Sequence, residues 1–160
     1  MERIYAVFFD IGDTLASAIV EGGHLARLDV YPFVSEVLAR LKAGGEGVSV
    51  SLGLMSNTGD ESAARMNQLV ADAGWSGLVE PHLCLFSSVE GLDKSQPTFF
   101  KRGRERAGVP ATRCLFVGEN AAERAVAATA GFRVSPHPLH ALYIAETELF
   151  GKPHTPTGKE

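Results

Sequence analysis

Apolar and polar residues alternate along this chain in a pattern that predicts short strands and helices in turn. The first strand is predicted at Ile4–Phe9, because its apolar, β-branched and aromatic residues suit a strand buried on both faces, and it ends directly on Asp10. Similar apolar runs predict four further strands, at Val48–Met55, Leu83–Phe86, Cys114–Val117 and Phe132–Ser135.

Segments with apolar residues at helical spacing separate these strands. A helix is predicted from Pro32 to Gly44–Gly45, because proline favours the first turn of a helix and glycine its end. Further helices are predicted before Gly74, around Phe99–Ala107, at Ala121–Ala130 and at Leu139–Phe150. Right-handed crossovers between successive strands then produce a doubly wound, Rossmann-like α/β fold, a parallel five-stranded sheet with helices on both faces.

Two segments stand outside this alternation. The glycine pair Gly22–Gly23 lies between two partly apolar arms and predicts a β-hairpin that hangs over the carboxyl end of the first strand. Residues 151–160 are rich in Pro, Gly, Thr and Lys, which predicts a flexible C-terminal tail. Residues 1–150 are therefore predicted to form one α/β domain.

Composition narrows the class of protein. With 45% hydrophobic and 21% charged residues the chain is an ordinary globular protein, and its net charge of −4 argues against a general nucleic-acid or acidic membrane surface. Met1–Ile4 does not resemble the start of a signal peptide, and no apolar stretch is long enough to span a bilayer. Cys84 and Cys114 lie in apolar runs and are predicted to be buried free thiols. We therefore expect a cytoplasmic protein.

Polar side chains follow the predicted strands at the edge where ligands bind in parallel sheets. They are Asp10, Ser56–Asn57, Ser87–Ser88 with Lys94 nearby, and Glu119 with Glu123. Such a set suits phosphoryl transfer, because a carboxylate can attack phosphorus, hydroxyl and ammonium groups hold phosphate oxygens, and acids hold Mg²⁺. The sequence has no G-x-x-x-x-G-K-[ST] loop and no G-x-G-x-x-G after the first strand. The P-loop and the dinucleotide-binding motif are therefore disfavoured.

Four motifs, in order, resemble those of the haloacid dehalogenase (HAD) superfamily, and the phosphatase-like branches most closely. They are Phe8–Leu15, Leu54–Asp60, Lys94 within Gly91–Pro97, and Leu115–Asn120. The first two motifs are specific, Lys94 alone is weak, and the order and spacing of all four are strong. The similarity runs from about Tyr5 to about His137.

This resemblance implies roles for four residues. Asp10 matches the nucleophile that forms an aspartyl-phosphate, and Lys94 matches the cation that steadies nucleophile and phosphate. Ser56 matches the hydroxyl that binds the transferred phosphoryl group, with the backbone of Asn57 beside it. Phosphomonoester hydrolysis is the activity that the resemblance implies.

The implied Mg²⁺ ligands are Asp10, the carbonyl of Gly12, and Glu119. Glu119 stands where the family usually has an aspartate, which is one methylene shorter, so we expect weakened Mg²⁺ binding. The second acid of the fourth motif is Glu123 in one spacing, whereas Arg124 occupies its place in another. If Arg124 faces the site, its fixed charge replaces part of the charge of the metal.

Besides Glu119, the chain also departs from the family pattern at the position of the proton donor. Family phosphatases usually carry a second aspartate two residues after the nucleophile, where this chain has Gly12. Asp13 follows one place later and would substitute only if the turn swings its side chain inward. Because losing a positioned acid costs about 10²–10⁴ in rate, we expect slow hydrolysis.

The chain also has no room for the helical cap that many relatives insert between the first two motifs. We therefore predict a capless member with an open site, a phosphorylated substrate that is either small or macromolecular, and a homo-oligomer or large partner covering the site. The main alternative is a catalytically silent HAD fold that serves as a binding or assembly module, favoured by Gly12, Glu119 and Arg124. A phospho-receiver domain is a weaker alternative, because it expects an aspartate where Ser87–Ser88 stands.

Overall fold

The computed structural model of this chain describes residues 2–151 and 153–158. Within these residues the strands are β1 (Arg3–Phe9), β2 (Ala16–Glu21), β3 (His24–Val30), β4 (Val48–Ser56), β5 (Cys84–Phe86), β6 (Cys114–Val117) and β7 (Arg133–Ser135). Five of them form one parallel sheet in the order β5-β4-β1-β6-β7, while β2 and β3 pair with each other as an antiparallel hairpin. The predicted five-stranded parallel sheet is confirmed, and β1 lies at its centre.

Helices follow the strands as predicted, with two differences. The helices are α1 (Val34–Ala43), α2 (Ala63–Asp72), α3 (Ser87–Glu90), α4 (Pro97–Ala107), α5 (Ala121–Thr129) and α6 (Pro138–Ile144). The segment Leu139–Phe150, predicted as one helix, is α6 followed by a π-helical turn at Ala145–Leu149. The pair Ser87–Ser88 does not remain in a loop but begins α3, which ends after one turn at Gly91, a left-handed residue (φ 70°).

The sheet is covered on both faces, as predicted. Alternate side chains of a strand point to opposite faces, so β1 contributes to two cores. Val7 and Phe9 pack in a cluster with buried residues of α1, α2 and α6, whereas Ala6 and Phe8 pack in a second cluster with residues of α4 and α5. Each fully buried large apolar side chain stabilises the fold by about 1.5–3 kcal/mol, so β1 and the start of the candidate site are held firmly from both sides.

The predicted hairpin is present between β1 and α1. It turns at Gly22 and Gly23, whose φ angles of 58° and 79° lie in the left-handed region that glycine tolerates. In the described chain this hairpin is the whole of the insertion before α1, so no helical cap lies there.

The last described residues contact α1 and the π-helical turn. Arg40 Nη2 donates to the carbonyl of Thr155 at 2.5 Å, and His154 Nδ1 lies 3.0 Å from Glu146 Oε1. The flexibility predicted for residues 151–160 stays a prediction, and Lys152, Lys159 and Glu160 lie outside the described residues. Among the helices that are described, none has the length and apolar character needed to cross a bilayer.

Candidate active site

An open cleft of about 410 Å³ lies at the carboxyl ends of β1 and β4, with the hairpin along one side. Polar and charged residues line it together with apolar ones, among them Asp10, Ser56, Asn57, Lys94 and Glu123. These five residues belong to the set that the sequence pattern singled out, and they meet at the carboxyl edge of the parallel sheet. The other members of that set, Ser87, Ser88 and Glu119, do not line the cleft.

Asp10 and Lys94 form the buried centre of the cleft. Asp10 is 6% exposed and Lys94 is 2% exposed, and Lys94 Nζ lies 2.5 Å from Asp10 Oδ1. The same ammonium group lies 2.9 Å from Glu123 Oε1. One buried cation therefore holds two carboxylates, an arrangement that fixes the position of the Asp10 carboxylate.

The second oxygen of Asp10 is held less tightly. Thr14 Oγ1 donates to Asp10 Oδ2 across a long 3.4 Å, and the same hydroxyl oxygen accepts a hydrogen bond from the backbone N–H of Glu119 at 3.1 Å. The backbone N–H of Asp10 donates to the carbonyl of Val117 at 2.9 Å. Thr14, which sequence reasoning did not single out, thus links the end of β1 to the end of β6.

The end of β4 forms one corner of the cleft, which we call the β4 corner (Ser56–Thr58 with Ser87, Ser88 and Lys94). Residues 91–96, between α3 and α4, form the loop that carries Lys94, here called the lysine loop. Asn57 Oδ1 accepts a hydrogen bond from the backbone N–H of Lys94 at 3.1 Å, which fixes this loop. Thr58 is bound by both serines of α3: its N–H donates to Ser87 Oγ at 2.8 Å and its hydroxyl lies 2.6 Å from Ser88 Oγ. Ser56 is 8% exposed and faces the cleft.

A short turn also shapes the lysine loop. Asp93 Oδ1 accepts hydrogen bonds from the backbone N–H of Ser95, at 2.8 Å, and from its hydroxyl. The hydrogen bonds from Ser95 lower the pKa of Asp93, because they stabilise its ionised form. The loop is thereby held on both sides of Lys94.

The end of β6 forms the opposite corner, the β6 corner (Gly118–Arg124). Glu119 is exposed and does not line the cleft, whereas Glu123 does and meets Lys94. Arg124 Nη1 donates to the carbonyl of Gly118 at 2.8 Å, so its charge binds the backbone. A Cβ at Gly118 would lie only 2.8 Å from the ring of Phe116 in β6, so glycine permits the close packing of this corner.

Gly12 and Asp13 differ in what they present to the cleft. Gly12 lines the cleft, and a side chain there would meet only the Cβ of Ala18, at an ordinary 3.9 Å. Asp13 has a φ of 64°, the left-handed conformation that aspartate tolerates better than most residues, and it is exposed and does not line the cleft. The structure therefore does not bring the Asp13 carboxylate to the site.

The donors at the β1 and β6 ends suit Mg²⁺ in their chemistry. Asp10, Gly12 and Glu119 all offer oxygen atoms, the ligands that this hard cation prefers. Among the described residues, Thr14 is the one hydrogen-bond partner of Asp10 Oδ2, so this oxygen keeps lone pairs available. The backbone N–H of Glu119 donates to that same hydroxyl. Glu119 is exposed and does not line the cleft, whereas Glu123 is already paired with Lys94.

Residues beyond the second motif fix the hairpin over the cleft. Glu61 Oε1 accepts from the backbone N–H of Leu25 at 3.0 Å, and Arg65 Nη2 donates to the carbonyls of Leu25 and Ala26 at 2.9 and 2.6 Å. Asp60 and Glu61 also line the rim of the cleft. Sequence reasoning assigned no role to these residues, although Asp60 is the last residue of the second motif and Glu61 directly follows it.

The cysteines are not placed to act as nucleophiles. Burial raises the pKa of the Cys84 thiol to about 11 and that of Cys114 to about 12, so both remain protonated at neutral pH. Both are free, and neither lines the cleft. Asp10 is therefore the candidate nucleophile at this edge.

No family model matches the sequence, and no curated protein matches it either. Solved structures do match it. A HAD-superfamily hydrolase from Ehrlichia chaffeensis aligns with a TM-score of 0.66 at 10% identity, covering 91% of this chain and 97% of that one. The L-2-haloacid dehalogenase from Xanthobacter autotrophicus aligns with a TM-score of 0.64 at 18% identity, covering 82% of this chain and 76% of that one.

A third match is shorter. A HAD-superfamily hydrolase of subfamily IA from Geobacter sulfurreducens aligns with a TM-score of 0.54 at 20% identity over 67% of this chain, which spans only 46% of the length of that protein. At such identities the likeness is one of fold. This chain has the α/β fold of the HAD superfamily, with an aspartate at the end of its central strand.

Proposed function

We propose that this chain is a HAD-superfamily hydrolase that cleaves phosphomonoesters through a covalent phosphoryl intermediate on Asp10. The observation that supports this most directly is the buried Asp10–Lys94 pair at 2.5 Å, which opens into a cleft at the carboxyl end of the central strand. A carboxylate fixed by a buried ammonium group is a positioned nucleophile, not an ordinary surface acid.

The reaction has two displacements at phosphorus. In the first, a carboxylate oxygen of Asp10 bonds to phosphorus as the ester P–O bond breaks, and the departing oxygen takes its proton from water. In the second, water attacks the same phosphorus, releasing inorganic phosphate and restoring the carboxylate. The hydroxyl of Ser56, the backbone N–H of Asn57 and the ammonium group of Lys94 bind the phosphoryl oxygens, whose negative charge they stabilise.

Charge at the floor of the cleft supports a role for Mg²⁺. Asp10 and Glu123 share the single ammonium group of Lys94, so these three side chains carry a net charge of −1. A phosphomonoester adds further negative charge at neutral pH. Mg²⁺ bound by Asp10, the Gly12 carbonyl and Glu119 would offset this repulsion.

The absence of an acid at Gly12 shapes the expected substrate range. Among the described residues that line the cleft, the carboxyl groups other than Asp10 are Glu123, which is paired with Lys94, and Asp60 and Glu61 at the rim. With no acid at position 12 beside the departing oxygen, esters of good leaving groups such as phenols should be cleaved faster than alkyl esters.

Displacement at carbon is a second candidate, and Gly12 is the observation that favours it. A halide leaves without a proton, so a buried carboxylate such as Asp10 can displace it from a 2-haloacid with no acid in the cleft. One of the matching structures is an L-2-haloacid dehalogenase. Water would then hydrolyse the resulting ester and release the 2-hydroxy acid.

One experiment separates these activities. Phosphate release from phenyl phosphate, with and without Mg²⁺, and chloride release from 2-chloropropionate are measured for the wild type, for Asp10→Asn, and for the matched control Asp72→Asn. Asp72 is exposed at the end of α2 and does not line the cleft. We expect Mg²⁺-dependent phosphate release that Asp10→Asn abolishes and Asp72→Asn retains.

Other outcomes are equally informative. Phosphate release by Asp10→Asn equal to that of the wild type would rule out the assigned nucleophile. Chloride release without phosphate release would establish the reaction at carbon. If the wild type has neither activity and does not bind beryllium fluoride with Mg²⁺, the silent binding module replaces the hydrolase.

A further inference from the structure

The hairpin gives the cleft an apolar wall. Ala18 and Val20 of β2 and Leu25 and Leu28 of β3 line the cleft from this side. Val20 is 63% exposed, so its aliphatic side chain is open to solvent at this side of the cleft. A group that leaves the floor of the cleft in this direction meets aliphatic side chains, so an apolar group gains by contacting them.

The charged residues of the cleft are strongly unbalanced. The acidic residues that line it are Asp10, Asp60, Glu61 and Glu123, whereas Lys94 is the one basic residue among the described lining residues. Lys94 contacts two carboxylates at the floor, and the reaction proposed above uses its third N–H donor for the phosphoryl group. No cation of the lining is therefore free to receive a second negative group of a substrate.

Two arginines, one in α2 and one in the β6 corner, bind backbone carbonyl groups. Arg65 donates to the carbonyls of Leu25 and Ala26, and Arg124 donates to the carbonyl of Gly118. Each guanidinium group is thereby held by the protein itself, and neither arginine lines the cleft. Among the described residues, neither guanidinium group forms an ion pair with Asp60 or Glu61 at the rim.

Asp60 is the rim residue that can meet a ligand. Glu61 is committed to the hairpin through the N–H of Leu25, at 3.0 Å. Asp60 is exposed, lines the cleft, and makes no hydrogen bond or ion pair with the described residues. The exposed His24, whose Nδ1 lies 3.5 Å from Glu61 Oε1, is near this rim but outside the lining.

From this arrangement we infer that the substrate is a monoester whose leaving group is apolar and carries no negative charge, and that a cationic group at its far end is preferred. The inference rests on the proposed phosphomonoesterase activity and specifies its substrate class. The apolar wall contacts the carbon framework, and Asp60 attracts the positive end. Bisphosphates are disfavoured as substrates, and so are phosphomonoesters that also carry a carboxylate, because the second negative group would face the acidic rim.

Three esters with closely similar phenol leaving groups test this preference. They are 4-methylphenyl phosphate, 4-(aminomethyl)phenyl phosphate and 4-(carboxymethyl)phenyl phosphate, which differ mainly in the charge of the far end. All three esters are assayed at pH 8. We expect kcat/KM to be about two- to fivefold higher for the amine than for the methyl compound, and lower by a similar factor for the carboxylate, the range for exposed ion pairs.

Charge reversal at the rim provides the matched variants. Asp60→Lys should invert the order of the amine and the carboxylate, and Asp60→Asn should reduce the difference between them. Asp72→Lys makes the same charge change at an exposed position outside the cleft and should keep the wild-type order. The preference should shrink as salt is added, since an exposed charge is screened.

Binding to Asp10→Asn separates this inference from the proposed function. Calorimetric dissociation constants of the three esters for that variant report selectivity without turnover. If the wild type cleaves the esters but treats all three alike, or prefers the carboxylate, the inference is overturned and the proposed function stands. If no ester is cleaved but the amine binds most tightly, the proposed function fails and the charge preference stands. Binding without preference overturns the inference in either situation.

Discussion

The two corners of the candidate site are built differently. In the β4 corner, hydrogen bonds connect residues distant in the chain: Thr58 is bound by Ser87 and Ser88, and Asn57 by the lysine loop. In the β6 corner, the side chains of Asn120 and Arg124 bind backbone groups three and six residues away, and the long-range contacts are those of the Glu119 N–H with Thr14 and of Glu123 with Lys94. Glu119 is exposed, and its side chain makes no hydrogen bond or ion pair with the described residues.

This difference assigns separate tasks to the two corners. A cradle for a phosphoryl group works best when its donors are fixed before the substrate arrives. The β4 corner meets this requirement because tertiary hydrogen bonds hold it. A carboxylate that binds a metal must instead be free to turn toward it, and Glu119 in the β6 corner is free in that sense. The rigid and the adjustable halves of the site meet at Lys94, which contacts both Asp10 and Glu123.

Removing the cation that joins the corners should have the largest effect. Lys94→Met leaves Asp10 and Glu123 facing each other without a buried counter-charge. We expect the free energy of unfolding, measured by urea titration, to fall by about 3–5 kcal/mol. Lys42→Met is the control, because Lys42 forms an exposed pair with Glu80 at 3.5 Å and should cost no more than about 1 kcal/mol. Equal losses for the two variants would show that the corners are not coupled through Lys94.

Adding an acid between the corners tests whether the β6 corner holds a metal. The cleft has room for a side chain at position 12. If Mg²⁺ is bound, Gly12→Asp should raise kcat for alkyl phosphates by up to about 10²-fold, since a positioned acid protonates the leaving oxygen. Gly12→Asn has the same shape without the acid and should not. If Gly12→Asp is inactive unless combined with Glu119→Asp, metal binding by the β6 corner is the missing property.

Matched substitutions in the two corners test their difference in rigidity. Thr58→Val keeps the shape of the side chain but removes the acceptor of the Ser88 N–H, at 3.1 Å, so the free energy of unfolding should fall by about 1–3 kcal/mol. Glu119→Ala removes an exposed side chain that has no hydrogen bond or ion pair with the described residues. This substitution should change the free energy of unfolding by less than about 0.5 kcal/mol. Glu119→Ala should nevertheless weaken Mg²⁺ binding in a titration. A larger loss of stability for Glu119→Ala would contradict the comparison.

The smallest expected effect concerns the ion pairs that join α3, the helix carrying Ser87 and Ser88 of the β4 corner, to α4. Glu90, in α3, accepts hydrogen bonds from Arg102 and Arg106 of α4, at 3.1 and 3.0 Å. Burial by itself would raise the pKa of Glu90, but the hydrogen bonds from Arg106 and Arg102 outweigh it and lower the pKa. The ionised group therefore adds stability above the ordinary glutamate value of about 4.3, and this contribution is lost as the pH falls through the lowered pKa.

Thermal unfolding of Glu90→Gln across pH measures this contribution. At pH 7 the variant should lose about 1 kcal/mol, as for a partly exposed pair, and the difference from the wild type should disappear well below pH 4. Glu105→Gln is the control, because Glu105 is exposed on the same region of α4 and its carboxylate has no partner among the described residues. A difference that persists in acid would point to packing and not to the ion pairs.

Sequence alone was sufficient for the sheet and for the identity of the strand-end residues. Buried parallel strands are short apolar runs, and their carboxyl ends share one edge of the sheet. The pattern therefore predicted that Asp10 and Ser56 would lie at one edge, with Lys94 nearby. The hairpin was equally readable, because a left-handed two-residue turn is favourable for the pair Gly22–Gly23. The fold of the HAD superfamily followed from the same order of motifs.

Tertiary structure alone decided which side chains face the site. Glu119, Glu123 and Arg124 lie within six residues, and their spacing did not reveal that Glu123 would meet Lys94 while Arg124 binds Gly118. Ser87 likewise reads as a strand end in the sequence, but it binds Thr58 from α3. Strand and helix patterns arise from local burial, which the sequence encodes directly. The direction of a polar side chain depends on partners that only the folded chain brings near, so it is decided by the tertiary structure.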